Sequence, residues 1–412
     1  MASPSATHYV SDCRVKLDGK PLSIEKDSAL ASVEIDLNID IFGQCRLTFN
    51  DPHLALINGT DFRPGAQIAV ELGFLGKLQP VFEGEVVALE PSFRRDEPPA
   101  LNVVCLEGLH RLALSQMTRA FNDVDPKNVT KKIAQEHGLD SDAPAGSGQH
   151  MLQSNVTDAV FLRRLAQQRG QHLRIEGKKL VIAAPPKGAE VELRPDNGLR
   201  KMKVKITTRS QVGEVTVHGW DAKTKKEIVG KAKGEGEAGE GARKYGNGTL
   251  SMADHHPEPV DAATAEAMAK GRMRKLAEGY VTASAQVTGD PKFKPGNTVS
   301  CSKFGEQING VYRIESARHL FSRHGYLVDF KAVRIAKKTA QQKAQARSAQ
   351  SLTGHARTEA DNAAVEREQA RKPRQKNPAA AQQAKVMKEA AKKGSPLIEE
   401  CPSSKGTLAQ VA

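Results

Sequence analysis

A chain of 412 residues is long enough for two or three globular units, each with its own core. The net charge of +13 is spread unevenly: residues 336–412 contain 15 basic and 7 acidic residues, a net +8, which leaves +5 for residues 1–335. Aromatic residues make up only 4% of the chain, too few to supply both a core and the stacking platforms of a single-strand binder, so nucleic-acid binding is a weak alternative.

The first regular pattern is an alternation. Val33, Ile35, Leu37, Ile39 and Ile41 are separated by polar residues, so they share one face of an extended chain and predict a half-buried strand. Further strands are predicted at residues 67–72, 82–90 and 102–106. These strands predict a first β domain at residues 1–120.

Helical signals follow. Asp125 stands before a proline as a helix cap, and Gly138 can take the left-handed conformation that ends a helix. A second helix is predicted from Thr157, a capping residue, to Gly170. Residues 121–190 are therefore predicted to form an α/β insert.

Strand patterns return after the insert, at residues 201–207, 214–218, 281–286, 312–317 and 326–333. A helix is predicted from Asp261 to Glu278, and residues 191–335 are predicted to form a second β domain. The predicted fold class is mainly β with α insertions. Residues 336–412 are rich in Ala, Lys and Gln with almost no large apolar side chain, which predicts a basic tail of broken helices or disorder.

One short sequence segment is repeated, with one copy in each of the two predicted β domains. Proline presets the first angle of a type II turn and glycine accepts the positive φ of the second, so a Pro-Gly pair delivers the chain into a strand. Such turns are common, and coincidence is one interpretation. The shared Phe-basic-Pro-Gly-x-x-aliphatic frame favours duplication instead. The two copies run Phe62-Arg63-Pro64-Gly65-Ala66-Gln67-Ile68 and Phe293-Lys294-Pro295-Gly296-Asn297-Thr298-Val299, with Gly84 and Gly310 following at similar later positions.

Large aromatic side chains are interpreted as structural. Phe62 and Phe293 are predicted core anchors. Trp220, the only tryptophan, is predicted to cap a core edge where Gly219 and Asp221 turn the chain, rather than to stack on a ligand.

A peptidoglycan-cleaving enzyme is the class of protein that competes with a purely structural one. A muramidase needs an acid of raised pKa and a second carboxylate across a sugar-binding cleft. The candidates Glu83, Glu85, Asp158 and Asp221 fall at strand or helix-start positions with structural explanations. No catalytic residue is assigned, and the prediction is a protein that is not an enzyme.

No metal or cofactor site is predicted either. His255, His256, His319 and His324 show no HExxH or comparable ligand spacing, which favours surface or hairpin histidines.

Cysteines and hydropathy indicate a protein made in the cytoplasm. No short spacing among the five cysteines could form a zinc knuckle or a redox pair, so reduced and mostly buried thiols are expected. No stretch approaches the roughly 20 apolar residues of a membrane span, and the N-terminus lacks an apolar signal core, so a soluble protein is expected.

Several short segments follow one another in a specific order over residues 10–335, although each segment is weak alone. They are Asn50-Asp51-Pro52-His53, PGAQIAVELG from Pro64, FEGEV from Phe82, Gln153-Ser154-Asn155-Val156-Thr157-Asp158, Val217-His218-Gly219-Trp220-Asp221 and the stretch from Gly296 to Phe330. Together these segments resemble the phage late control D proteins, whose module also forms the hub portion of the valine-glycine repeat spike proteins.

This resemblance implies a structural role for a protein made in the bacterial cytoplasm, and it implies that the domains at residues 1–120 and 191–335 are β-barrel-like. In the family, three chains form a ring, each chain contributes two β-barrel-like domains, and the ring adapts a hexameric tail tube to a trimeric spike. The implied partners are two further copies of the chain, a tail tube protein, a spike and other baseplate proteins of a phage tail, a tailocin or an extracellular injection system. Valine-glycine repeat proteins continue into a spike and this sequence runs into a basic tail instead, so a separate spike polypeptide is expected.

Overall fold

Strands dominate the fold, so the predicted class, mainly β with α insertions, is confirmed. The computed structural model describes residues 10–337 except residues 75, 186, 187, 189, 222, 223, 237, 253–258 and 260. The predicted tail beyond Lys337 and the histidines at 255 and 256 lie outside the described residues.

The first part of the chain, up to residue 106, is almost entirely strand. Its elements are β1 (Ser11–Leu17), β2 (Lys20–Pro21), α1 (Ile24–Ala29), β3 (Leu30–Asn38), β4 (Gln44–Asn50), β5 (Gln67–Phe74), β6 (Lys77–Ser92) and β7 (Ala100–Leu106). In β3 the predicted alternation holds for Val33, Ile35 and Leu37, which are buried. The strand ends before Ile41, which is 50% exposed because the chain turns there into β4.

The insert has its own hydrophobic core. It contains a 3-10 helix (Gly108–Ala113), β8 (Gln116–Val124), α2 (Pro126–Glu136), β9 (Asp140–Asp142), β10 (Gln149–Thr157), α3 (Asp158–Gln168), β11 (His172–Glu176) and β12 (Lys179–Ala183). Both predicted helices are confirmed with their caps, since Asp125 accepts from Lys127 N–H and Thr157 from Val160 N–H. The core extends from Leu109 to Ile182 and so begins before residue 121.

The last part returns to strands. It contains β13 (Glu190–Leu193), β14 (Leu199–Ile206), β15 (Glu214–Asp221), β16 (Lys226–Lys233), α4 (Glu240–Tyr245), β17 (Thr249–Met252), α5 (Ala262–Glu278), β18 (Val281–Thr288), β19 (Thr298–Cys301), β20 (Gly310–Ser322) and β21 (Gly325–Ala336). The predicted helix is confirmed as α5, capped by Asp261. Strands β15 to β17 pack with α5 around a third, smaller core.

Two groups of strands follow the same path. The first half runs β3-β4-β7-β6-β5-β1, and the second half runs β14-β18-β21-β20-β19-β13. In both paths the first five strands stand in the same order, which by position along the chain is first, second, fifth, fourth and third. All neighbours among those five strands are antiparallel. The last pair differs, because β1 is antiparallel to β5 whereas β13 is parallel to β19.

The irregularities of the two paths also coincide. The first strand slips register between Leu30 and Ser32 in one half and between Leu199 and Lys201 in the other. The fourth strand bulges between Val86 and Ala88, and between Ile314 and Ser316. These bulges fix the residue-by-residue correspondence of the two halves, because a bulge marks one position of a ladder.

One pairing joins the halves into a single 13-stranded sheet: β20 of the second half lies antiparallel to β3 of the first. Side chains of both halves share one core, with Val33 and Leu47 in the same cluster as Ala285 and Phe330. The strand order is an open path, so the barrel-like domains predicted from the sequence are corrected to two halves of one open sheet. None of the helices in the described part of the chain has the length and apolarity to cross a membrane.

Candidate assembly site

The first Phe-basic-Pro-Gly segment forms a type II turn. Ala66 N–H donates to the Arg63 carbonyl (3.0 Å) across Pro64 and Gly65, and Gly65 has a φ of +87°. The turn is tied to β6, because Gly65 N–H donates to the Val86 carbonyl at 2.8 Å. The segment therefore delivers the chain into β5 beside the bulge of β6.

The second segment repeats this geometry. Asn297 N–H donates to the Lys294 carbonyl (3.1 Å) across Pro295 and Gly296, and Gly296 has a φ of +89°. Gly296 N–H donates to the Ile314 carbonyl at 2.9 Å, beside the bulge of β20. The echo in the sequence thus corresponds to two turns with matching hydrogen bonds.

The two phenylalanines before these turns lie in the shared core. Phe62 and Phe293 are each 3% exposed. The Phe62 ring lies 4.9 Å from that of Phe49, and the Phe293 ring lies 5.0 Å from that of Phe330. Each ring anchors its turn to another strand of its own half.

Gly84 and Gly310 are not equivalent positions, although both follow their turns. Gly84 lies opposite Ile68 in the pairing of β5 with β6. Val299 corresponds to Ile68, and it lies opposite Tyr312. Tyr312 therefore takes the place of Gly84, and Gly310 falls two residues earlier.

Each of these glycines has its own steric reason. A Cβ on Gly84 would overlap the Leu106 carbonyl of β7. Gly310 has a φ of +151°, and a Cβ there would overlap the Ala336 carbonyl. Close backbone approach requires glycine at both places.

The prediction that Trp220 caps a core edge is wrong. Trp220 is 56% exposed at the end of β15, opposite Glu227. Gly219 lies within a strand and is close to Pro259, while Asp221 accepts from the Thr224 hydroxyl at 2.6 Å in the following turn. The indole is therefore part of the surface.

Oppositely charged side chains bridge the junction between the two halves. Arg318 of β20 lies opposite Asp36 of β3. Its guanidinium donates to Glu34 Oε1 at 2.5 Å and lies 3.8 Å from Asp36 Oδ1. Burial raises the pKa of Asp36, while the nearby Arg318 acts in the opposite direction.

His319 lies at the same junction and is fully buried. Its Nε2 is 2.9 Å from the Phe293 carbonyl, which can only accept, so Nε2 carries the proton. Its Nδ1 then accepts from the Tyr326 hydroxyl at 2.7 Å. Burial lowers the pKa of His319 to about 4, so the ring is neutral at pH 7 and holds the second Phe-basic-Pro-Gly turn against the sheet.

Two of the candidate catalytic carboxylates are held in ion pairs. Glu85 accepts from Arg111 Nε at 3.0 Å, and the Arg111 hydrogen bond lowers the pKa of Glu85, the opposite of what a general acid requires. Asp158 accepts from Arg119 at 2.5 Å and lies 2.9 Å from His137 Nε2. Both groups support the local packing of the chain.

The remaining candidates do not converge. Glu83 is exposed on β6, Asp221 caps a turn, and His324 is exposed between β20 and β21. Within the described residues, no group of three His, Cys, Asp or Glu side chains is arranged to hold a metal ion.

The structural roles of two buried polar residues were not predicted from the sequence. Arg313, 7% exposed, donates two parallel hydrogen bonds of 2.9 and 2.8 Å to Glu278 of α5. Asp51, 3% exposed, accepts from three successive backbone N–H groups at residues 55–57. The Asp-Pro pair at residues 51–52 is the only local signal, since an Asx residue before proline is typical of a turn.

Comparison with solved structures gives the class of fold. The 43 kDa tail protein of prophage MuSo2 from Shewanella oneidensis is 18% identical, with 79% of this chain and 98% of that chain covered at a TM-score of 0.60. A tail protein from Neisseria meningitidis MC58 is 15% identical, with 79% and 97% covered at a TM-score of 0.54. The chain therefore has the β-rich fold of phage tail proteins.

A family model identifies the chain more closely. The model of the Alg8 N-terminal domain matches residues 7–322, so the chain belongs to that family. No curated protein sequence matches the chain significantly. The resemblance to the late control D proteins stays a prediction.

Proposed function

We propose that the chain is a structural baseplate hub of a contractile injection machine, in which three copies form a ring between a hexameric tail tube and a trimeric spike. The observation that carries the proposal is the repeated strand path, because each chain then supplies two similar units. Three copies present six units to the tube and keep threefold symmetry toward the spike.

The fold of phage tail proteins supports the same role. The partners in this proposal are two further copies of the chain, a tail tube protein, a separate spike protein and other baseplate proteins. A permanent ring of this kind should bury on the order of 2,000 Å² or more at each contact between copies. The protein would act as a component of a virion or an injection particle.

A role without catalysis is part of the proposal. It is supported by the ion pairs that hold Glu85 and Asp158, because both carboxylates are occupied by arginine side chains of the same chain. Purified protein should leave the turbidity of a peptidoglycan suspension unchanged. Clearing that disappears on substitution of a single carboxylate would contradict this part.

Copy counting tests the role in assembly. Particles that contain the chain would be purified, and each protein quantified by mass spectrometry against labelled peptides. The proposal expects about three copies of the chain per particle, together with tube and spike proteins, because a ring of three is its central claim. A chain that is absent from the particles, or present at about six copies, would contradict it.

A further inference from the structure

The junction between the two halves of the chain has an equivalent pair of strand edges, and no described strand of the same chain covers them. The outer edge of β3 is covered by β20. Its equivalent in the second half, β14, pairs only with β18 among the described strands. The equivalent of the covering segment of β20 is residues 88–92 of β6, which pair on one side with β7 and with no described strand on the other.

The bulges give the correspondence of individual residues across the two halves. Starting from the shared slip in β3 and β14, Glu34 corresponds to Lys203 and Asp36 to Lys205. Starting from the shared bulge in β6 and β20, Arg318 corresponds to Glu90.

The charges at these equivalent places have opposite signs in the two halves, at all three positions. Inside the chain, a basic residue on β20 meets two acidic residues on β3. In the counterpart, Glu90 on β6 would meet Lys203 and Lys205 on β14. All three of these side chains are exposed, so each can reach a partner.

Apolar exposure follows the same correspondence. Leu37 of β3 is 7% exposed because Ala317 of β20 lies opposite it. Ile206 of β14 takes the place of Leu37 and is 43% exposed. Its partner in the counterpart would be Leu89, which is half-buried. Covering β14 would remove Ile206 from water as β20 removes Leu37.

We propose that β14 of one copy pairs antiparallel with residues 88–92 of β6 in a second copy, with Lys205 opposite Glu90. The contact repeats the internal junction of β20 with β3 between two molecules, head to tail, so that first and second halves alternate around the ring. This inference rests on the proposed function, since it names the surface through which the copies of that ring meet.

Two details shape the contact. Pro91 takes the place of His319 and has no N–H, so the ladder between copies has one donor fewer than the internal ladder at that position. Glu90 also accepts a hydrogen bond from Arg46 of its own copy at 2.6 Å, so its carboxylate is already held on the sheet face before a second copy binds.

Charge reversal tests the pairing in the full-length chain. Glu90→Lys should weaken association of the copies by at least about tenfold, because it sets like charges against each other, and Lys203→Glu with Lys205→Glu should do the same. The triple variant restores opposite charges and should recover association. Lys226→Glu with Lys231→Glu, two exposed lysines on β16, is the matched control and should change nothing. Light scattering across a dilution series measures each mass.

A crosslink checks the register. Residues directly opposite on an antiparallel pair have Cβ atoms about 5 Å apart, so Leu89→Cys and Ile206→Cys in one chain should join different copies through a short thiol crosslinker. Each single variant should give no such product.

The outcomes separate the two proposals. If the wild type is a trimer, but the double-cysteine variant forms no crosslink and the charge variants still form the trimer, this pairing is overturned and the hub is left intact, since the copies then meet elsewhere. If the wild type remains monomeric at every concentration and the double-cysteine variant forms no crosslink, both the pairing and the ring are overturned. Lysines and a proline at an edge strand also serve to prevent pairing, and that role predicts the second result.

Discussion

Acidification should weaken the fold through His319. The ring is neutral in the folded chain, with Nε2 donating to the Phe293 carbonyl and Nδ1 accepting from Tyr326. A proton on Nδ1 would remove that acceptor and leave a charge in the core. The pKa of His319 is lowered to about 4 from an ordinary value of 6.5, so the unfolded chain binds the proton more tightly.

The size of the effect follows from this difference in pKa. Stability from His319 is fully present above pH 6.5 and is lost as the pH falls toward 4, because unfolding takes up a proton in that window. Each pH unit inside the window is worth about 1.4 kcal/mol. From pH 7 to pH 5 the free energy of unfolding should therefore fall by about 2 kcal/mol on account of this residue alone.

Urea unfolding of the wild type and of His319→Gln, at pH 7 and at pH 5, isolates this contribution. Glutamine can donate to Phe293 and accept from Tyr326, but it does not titrate. Whatever His319→Gln costs at pH 7, its further loss at pH 5 should be about 2 kcal/mol smaller than that of the wild type. His324→Gln, at an exposed turn position, is the control. Equal losses in the wild type and His319→Gln would refute the reasoning.

Four further substitutions, with Glu266→Ala as a control, test the fold by urea unfolding. Glu278→Ala leaves the buried guanidinium of Arg313 unpaired and should lower the free energy of unfolding by about 3–5 kcal/mol. Glu266→Ala removes an exposed helix ion pair and should lower it by under about 1 kcal/mol. Similar losses for the two variants would argue against the buried pair. Gly65→Ala and Gly296→Ala should each cost about 1–2 kcal/mol, because both glycines have positive φ, and a neutral result at either would contradict the turn geometry. Asp51→Ala removes the acceptor of three backbone N–H groups and should cost at least about 2 kcal/mol; a cost near zero would show that water replaces the carboxylate.

Features that depend on a few neighbouring residues could be predicted from the sequence. The turns at Gly65 and Gly296 follow from local backbone preference, and so does the cap at Asp125. The prediction for Trp220 was wrong because it followed the size of the side chain. Alternation along β15 puts Gly219 on the face of the buried Val217, and Trp220 therefore points the other way.

The junction of the two halves could not be predicted in this way. Arg318 and Glu34 are far apart in the chain, and nothing in the alternation of either strand says which edge the other will cover. The buried pair of Arg313 with Glu278 is hidden for the same reason: each residue alone is typical of a solvated surface. Long-range partners are decided by the packing of the whole sheet, which local patterns do not contain.

The inverted charges also bear on which halves can meet. Since β3 and β20 already cover each other within the chain, the wrong contacts between copies join like edges. If β14 of one copy paired with β14 of another, Lys203 and Lys205 would face the same lysines, and if β6 paired with β6, Glu90 would face Glu90. Both wrong contacts set like charges against each other, which costs several kcal/mol at an interface. In the proposed ring, first and second halves therefore alternate. Recovery of the trimer by the triple charge variant, with each reversal alone dissociating it, is the result that this argument requires.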